Sequence, residues 1–171
     1  MQITILKGYN MRRPTAAGNW KMNGLRENFN DILLIDAASK NVNCDVILCV
    51  PDTLIKEMSE RTNNIFTGSQ NCHIETSGAF TGDISAEMIK DAGASHVIVG
   101  HSERRVNYNE NNNLIREKTQ IALKNELKAI VCIGETLTER ETGVTLDIIK
   151  QQLIDSLPVE ISGEKIIVAY E

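Results

Sequence analysis

The sequence predicts an α/β fold built on a parallel sheet, and three observations carry that reading. Short apolar runs rich in β-branched residues alternate with longer amphipathic stretches. Three of those runs, Val46-Ile47-Leu48, Val97-Ile98-Val99 and Ala129-Ile130-Val131, are apolar throughout, as expected where both faces of a parallel sheet are covered. The polar residues with chemical potential gather at the ends of the runs.

In chain order, a first strand is expected near Thr15–Trp20, followed by a helix whose face is marked by Leu25, Phe29, Ile32 and Leu33. A second strand over Asp45–Val50 leads into a helix over Pro51–Glu60, and a third lies over Ile65–Gln70. The loop Asn71–Asp83 then exceeds the usual βα connection of about 2–6 residues, and long loops in compact domains tend to have a task. A helix follows over Ser85–Ala92, then a fourth strand over His96–Gly100. The asparagine-rich stretch Asn107–Asn113 reads as a solvated loop before a helix over Leu114–Glu126. A fifth strand over Lys128–Ile133 precedes a helix with Leu146, Ile149, Leu153 and Leu157 on one face, ended by Pro158. A sixth strand runs over Lys165–Tyr170, giving about six strands and five connecting helical segments. Periodicity alone leaves two architectures open, a doubly wound open sheet and a barrel.

Composition narrows the function. The chain of 171 residues, 42% hydrophobic and 24% charged, has the length for one sizeable core. Its net charge of −5 and pI near 5.3 argue against a nucleic-acid binder, which needs a basic face. No run approaches the roughly 20 apolar residues of a membrane-spanning helix, and the opening segment lacks the pattern of a signal peptide, so a cytoplasmic chain is expected. Cys44, Cys49, Cys72 and Cys132 show no metal-like spacing with His73, His96 or His101 and read as reduced, packed thiols.

Four polar residues stand at strand ends. Asn19 and Lys21 place an amide and an ammonium where the first strand turns towards a helix, the ligand face of α/β folds. Gly100-His101-Ser102 follows the fourth strand: Gly100 permits close backbone approach, Ser102 is expected to cap a helix, and the helix N-terminus disfavours an imidazolium at His101. Glu171 follows the apolar sixth strand, where a carboxylate can serve as a desolvated base. Taken singly, each has an ordinary reading as a turn former, surface charge or cap; one sheet, however, brings all four to one face.

Ala17-Gly18-Asn19-Trp20-Lys21-Met22-Asn23, Gly78-Ala79-Phe80-Thr81-Gly82-Asp83-Ile84-Ser85-Ala86, Gly100-His101-Ser102-Glu103-Arg104-Arg105, Cys132-Ile133-Gly134-Glu135-Thr136 and Val168-Ala169-Tyr170-Glu171 together resemble the triosephosphate isomerase family in order and spacing, from about Arg12 onward. The resemblance implies a (β/α)8 barrel and selects it over the open sheet. It implies interconversion of dihydroxyacetone phosphate and D-glyceraldehyde 3-phosphate through an enediolate, in glycolysis and gluconeogenesis, with no metal or organic cofactor. By the same resemblance Glu171 shuttles the proton, His101 polarises the carbonyl, and Lys21 offsets the enediolate charge and binds substrate, with Asn19 as a nearby donor. Ser102 and Glu103 support these groups, and Cys132 packs beside them. The loop Asn71–Asp83 resembles the family's dimer loop, with Thr81 meeting the neighbouring active site in a homodimer; Asp83 departs from the glutamate common there.

The family pattern continues past its catalytic glutamate with a hinge, a lid, two strands and phosphate-binding loops. The expectation is therefore a partial barrel domain over residues 12–171, with residues 1–11 as an appended segment or an extra strand. Strands one and six are expected as edges, with inner-face apolar groups open to water, and the chain itself is expected to be inactive or nearly so. The alternatives are a non-catalytic truncated barrel that keeps ligand or dimer contacts, and another phosphosugar barrel or open phosphate-binding sheet.

Overall fold

The computed structural model describes residues 12–160 and 163–171, and the extension over residues 1–11 lies outside them. The strands are β1 (Thr15–Asn19), β2 (Asp45–Cys49), β3 (Phe66–Ser69), β4 (His96–Val99), β5 (Lys128–Ile133) and β6 (Ile166–Tyr170). The α-helices are α1 (Phe29–Ala38), α2 (Asp52–Arg61), α3 (Ala86–Asp91), α4 (Ser102–Asn107), α5 (Asn112–Lys124), α6 (Leu137–Glu141) and α7 (Thr145–Ser156). None is long and apolar enough to cross a membrane.

All pairings are parallel, and the sheet order is β1-β2-β3-β4-β5-β6. A doubly wound sheet reverses its strand order at a switch point; this one never does, and it is the incomplete TIM barrel that the resemblance implied. The pairs Asn19↔Cys49, Val99↔Val131 and Ile133↔Tyr170 align the strand tips on one rim.

Strands apolar on both faces make sense in two layers of core. Outward, Leu48, Val97, Val99 and Val131 pack with helix residues including Ile32, Ile55, Met58 and Ile115. Inward, Ile47, Cys49, Ile98, Ile130 and Cys132 form a second cluster, with Ile167 and Ala169 against it. That cluster joins β2, β4, β5 and β6, so the sheet curls around it. Arg12 straps the far ends together, its Nη1 donating to Gly163 O at 2.9 Å and Ile166 O at 2.6 Å.

The curl refines one expectation. The inner cluster on β2, β4 and β5 is no more than 5% exposed, while on the outer strands Ala17, in register with Ile47, is exposed and Ile167 and Ala169 are half-buried. Val168 (44%) and Tyr170 (56%) of β6 are open on the other face as well. Outer strands β1 and β6 each pair with one neighbour in the described sheet.

The helices bring further corrections. The five helical connections are present and hold seven α-helices among the described residues, two each after β4 and β5; α4 and α6 bury no residue and leave no apolar period to read. The expected loop Asn107–Asn113 contributes the last residue of α4 and the start of α5, whose cap is Asn111 accepting from Leu114 N at 3.0 Å. Leu146 is 81% exposed, and the covered side of α7 runs through the half-buried Ile148, Ile149, Gln152 and Leu153 to the buried Ser156. Leu25 lies before α1 and is also exposed. The end of α7 is as expected: Leu157, preceding Pro158, turns extended at φ −100° and ψ 142°. All four cysteines are free, with Cys49, Cys72 and Cys132 buried.

Candidate active site

Asn19 ends β1, and its Oδ1 accepts the Lys21 N–H at 2.9 Å, an Asx turn that bends the chain off the strand. Lys21 takes a left-handed φ of 54°, which costs a non-glycine residue about 1–2 kcal/mol. Gln70, just past β3, offsets that strain by donating from Nε2 to Lys21 O (2.8 Å) and to Cys49 O (3.1 Å). So held, the Lys21 ammonium reaches Glu103 Oε1 at 2.9 Å. The hydrogen bond and charge of Glu103 hold Lys21 above the usual lysine range, and the bond from Lys21 holds the Glu103 carboxyl below its own.

At the tip of β4, Gly100 turns the chain at φ 73°, where a Cβ would come within 3.0 Å of the Ile115 side chain. His101, rather than Ser102, then caps α4: its Nδ1 accepts from Glu103 N at 3.2 Å. Ser102 is instead the first helical residue, since the ring at His101 already satisfies the free amide. Because Nδ1 accepts, the ring proton sits on Nε2, 2.8 Å from Glu171 Oε1. The Ser102 N–H donates to Glu171 Oε2 at 2.8 Å, so both oxygens of the carboxylate are held by one tight turn.

Glu171 extends the ladder, donating its N–H to Ile133 O at 2.9 Å, and passes so near Gly134 that a Cβ there would lie 2.7 Å from Glu171 O. Cys132 is buried beneath it; burial, then the charge and hydrogen bonding of Glu171, push its thiol up to about 12, which leaves it an inert packing group.

Asn19, Lys21, His101 and Glu103 share one cavity of about 690 Å³, bordered across the way by Asp83. Glu171 joins them through His101. Thr81 lies apart from the cavity lining, exposed on its loop, whose neck is closed by His73 N–H donating to Ile84 O at 2.8 Å. Asp83 stands 3.7 Å from His73 Nε2. No metal-binding cluster of His, Cys, Asp or Glu converges among the described residues.

Three supporting residues escaped the sequence reading. Gln70 sits at a strand end, as the four expected residues do, and the same reasoning could have found it. Arg105 donates to Gly100 O (2.8 Å), Asn112 Oδ1 (2.7 Å) and Cys132 O (3.0 Å), tying the tips of β4 and β5 to α5. Gln152 brackets the Gly134 peptide, accepting from its N–H at 2.8 Å and donating to its carbonyl at 2.9 Å. Nothing local in the sequence marks Gln152, whose partner is a peptide 18 residues away; Arg105 lies within the Gly100–Arg105 motif, which does not itself show the bonds to Asn112 and Cys132.

The family model described as "Triosephosphate isomerase" matches residues 14–171. The chain is similar to the triosephosphate isomerase of Ruegeria sp. (strain TM1040), 48% identical over 161 residues that cover 94% of this chain and 65% of that relative. It is 46% identical over 164 residues to that of Bartonella henselae, covering 93% and 65%. A crystal structure of the B. henselae triosephosphate isomerase superposes with a TM-score of 0.88 at 47% identity, over 92% of this chain and 67% of that one. The chain thus spans about 65% of the length of the curated relatives it matches.

Proposed function

The chain belongs to the triosephosphate isomerase family, and on that premise we propose that it carries the catalytic rim for interconverting dihydroxyacetone phosphate and D-glyceraldehyde 3-phosphate. The observation that carries this reading is the contact of His101 Nε2 with Glu171 at 2.8 Å, with Lys21 in the adjoining cavity. In this scheme the Lys21 ammonium draws the dianionic substrate in. Its carbonyl oxygen takes the Nε2–H of His101 in place of the Glu171 carboxylate. The freed carboxylate then removes a proton from the hydroxyl-bearing carbon beside the carbonyl; His101 gives its Nε2 proton to the carbonyl oxygen and takes the proton of the neighbouring hydroxyl, and the carboxyl returns its proton to the former carbonyl carbon, so that carbonyl and hydroxyl change places. The negative charge that develops on oxygen meets the imidazole N–H and the ammonium, donors already in place before reaction. Asn19 and Gln70 act through the backbone by fixing Lys21, Glu103 orients Lys21, and Cys132 packs under Glu171.

Turnover by the 171-residue chain is expected to be slight. The Lys21 side chain is 51% exposed and that of Glu171 29%, so water competes at both charges. We further infer a partial barrel domain over residues 12–171, a homodimer formed through the loop carrying Thr81 and Asp83, and a cytoplasmic place in glycolysis and gluconeogenesis.

The test is hydrogen exchange into dihydroxyacetone phosphate in D₂O, using protein from a host without its own isomerase. Slow exchange is expected from the chain, falling about 10²–10⁴-fold to background in Glu171→Gln. In a form extended to the relatives' full length, Glu171→Asp is expected to cost far more rate than binding. Exchange that survives Glu171→Gln at an equal rate would exclude Glu171 as the base.

A further inference from the structure

At the rim opposite the candidate active site, the starts of the strands enclose a second cavity, of about 540 Å³, lined by Arg12, Lys128, His96, Asp45 and Glu164 among others. Asp45 is engaged by Arg13, whose Nε lies 3.2 Å from its Oδ1. Arg12 is held by two carbonyls, with its guanidinium charge still facing the cavity. The Lys128 ammonium rests 6.0 Å from the centre of the Phe66 ring and has no carboxylate partner among the described residues.

His96 is the unusual member, a lining residue only 3% exposed. Ser95 Oγ donates its one proton to Thr67 O at 3.2 Å, so in its 2.8 Å contact with His96 Nδ1 it accepts. That places the ring proton on Nδ1. Nε2 is left as a bare lone pair with no hydrogen-bond partner among the described residues, on a ring that lines the cavity. Burial, then the Lys128 charge, with Arg12 adding to it and Asp45 opposing, push His96 down to about 4, so the ring is neutral at neutral pH.

We propose that this cavity binds inorganic phosphate in a protonated form, its anionic oxygens turned to Arg12 and Lys128 and its P–OH donated to His96 Nε2. The two cations call for an oxyanion, and the lone pair calls for one that keeps a hydrogen. Inorganic phosphate keeps a P–OH at neutral pH. Sulfate has none, and a phosphomonoester, with a second pKa near 6, has mostly lost it. Protonation of His96 would reverse that selection, with Asp45 and Glu164 as the acidic groups facing the ring.

The test is NMR of the histidine side-chain nitrogens of the 171-residue chain, titrated at pH 7.5 and constant ionic strength with inorganic phosphate, sulfate or methyl phosphate. Phosphate is expected to move the His96 Nε2 signal saturably, with affinity falling about tenfold in Lys128→Gln, while sulfate and methyl phosphate leave it in place. Lys128 is exposed, so this variant keeps the fold. Changes at His101 report the other rim and are scored separately. The proposal fails if phosphate leaves His96 unmoved, if sulfate moves it equally, or if the Lys128→Gln titration is unchanged.

Discussion

Lowering the pH from 7 to 5 should weaken the fold through His96. In the folded chain this imidazole is pushed down to about 4, first by burial and then by the Lys128 charge, whereas in an unfolded chain it titrates near 6.5. Below pH 6.5 the unfolded chain therefore takes up a proton that the folded chain refuses, and stability falls with pH until the folded ring is itself protonated near 4. At 1.36 kcal/mol per pH unit the whole effect is about 3 kcal/mol, of which about 2 kcal/mol appears between pH 7 and 5. That is a large share of the 5–15 kcal/mol typical of a domain. The assay is urea unfolding at a series of pH values, in buffer free of phosphate and sulfate, comparing the chain with His96→Gln. The substitution removes the titration and keeps a polar group beside Ser95. The parent is expected to lose about 2 kcal/mol more than the variant over this range. Parallel profiles would refute the reasoning, since they would mean that His96 is protonated as readily folded as unfolded.

Two substitutions probe the backbone. Gly134→Ala would set a Cβ 2.7 Å from Glu171 O, a clash with backbone that cannot swing aside. A loss of about 1–3 kcal/mol in urea unfolding is expected, together with a changed His101 side-chain NMR signal as Glu171 shifts. Glu126 follows α5 at a left-handed φ of 59°, the position where glycine is favoured after a helix. Glu126→Gly is expected to raise stability by about 0.5–1 kcal/mol in the same assay, and a loss would mean that its contacts with Lys90 outweigh the strain.

The strands were legible because each is an apolar run between turns, and their parallel pairing followed from runs without alternation. Their ends were slightly overread: Trp20, Val50, Gln70 and Gly100 fall just outside the assigned strands. Trp20 and Val50 nonetheless still donate to Cys49 O and Gly68 O, at 2.9 and 3.1 Å. Helices α4 and α6 were illegible because they bury nothing. Leu146 misled because the apolar spacing runs on to it while the helix has already turned that position to solvent. At the site, the side chains that meet the cavity were readable from their strand-end positions. Among those that hold backbone in place, Gln70 shares the strand-end position, but Arg105 and Gln152 were not readable, because the bonds of Arg105 to Gly100 and Cys132 and of Gln152 to Gly134 end on carbonyls and amides that any residue could supply. The Ser102 cap was misassigned for a similar reason: serine is the commoner cap, yet the histidine before it lies nearer the free amide and presents an acceptor nitrogen.

In the proposed function, Asn19, Lys21, His101 and Glu171 form one site for a triose phosphate. That proposal is tested most directly by titrating the chain with dihydroxyacetone phosphate while following the Nε2 signal of His101. A saturable shift is expected as substrate oxygen replaces the Glu171 carboxylate at Nε2, weakened at least tenfold in Lys21→Gln by loss of the ammonium. A His101 signal that ignores the substrate, or that shifts equally without Lys21, would contradict the account.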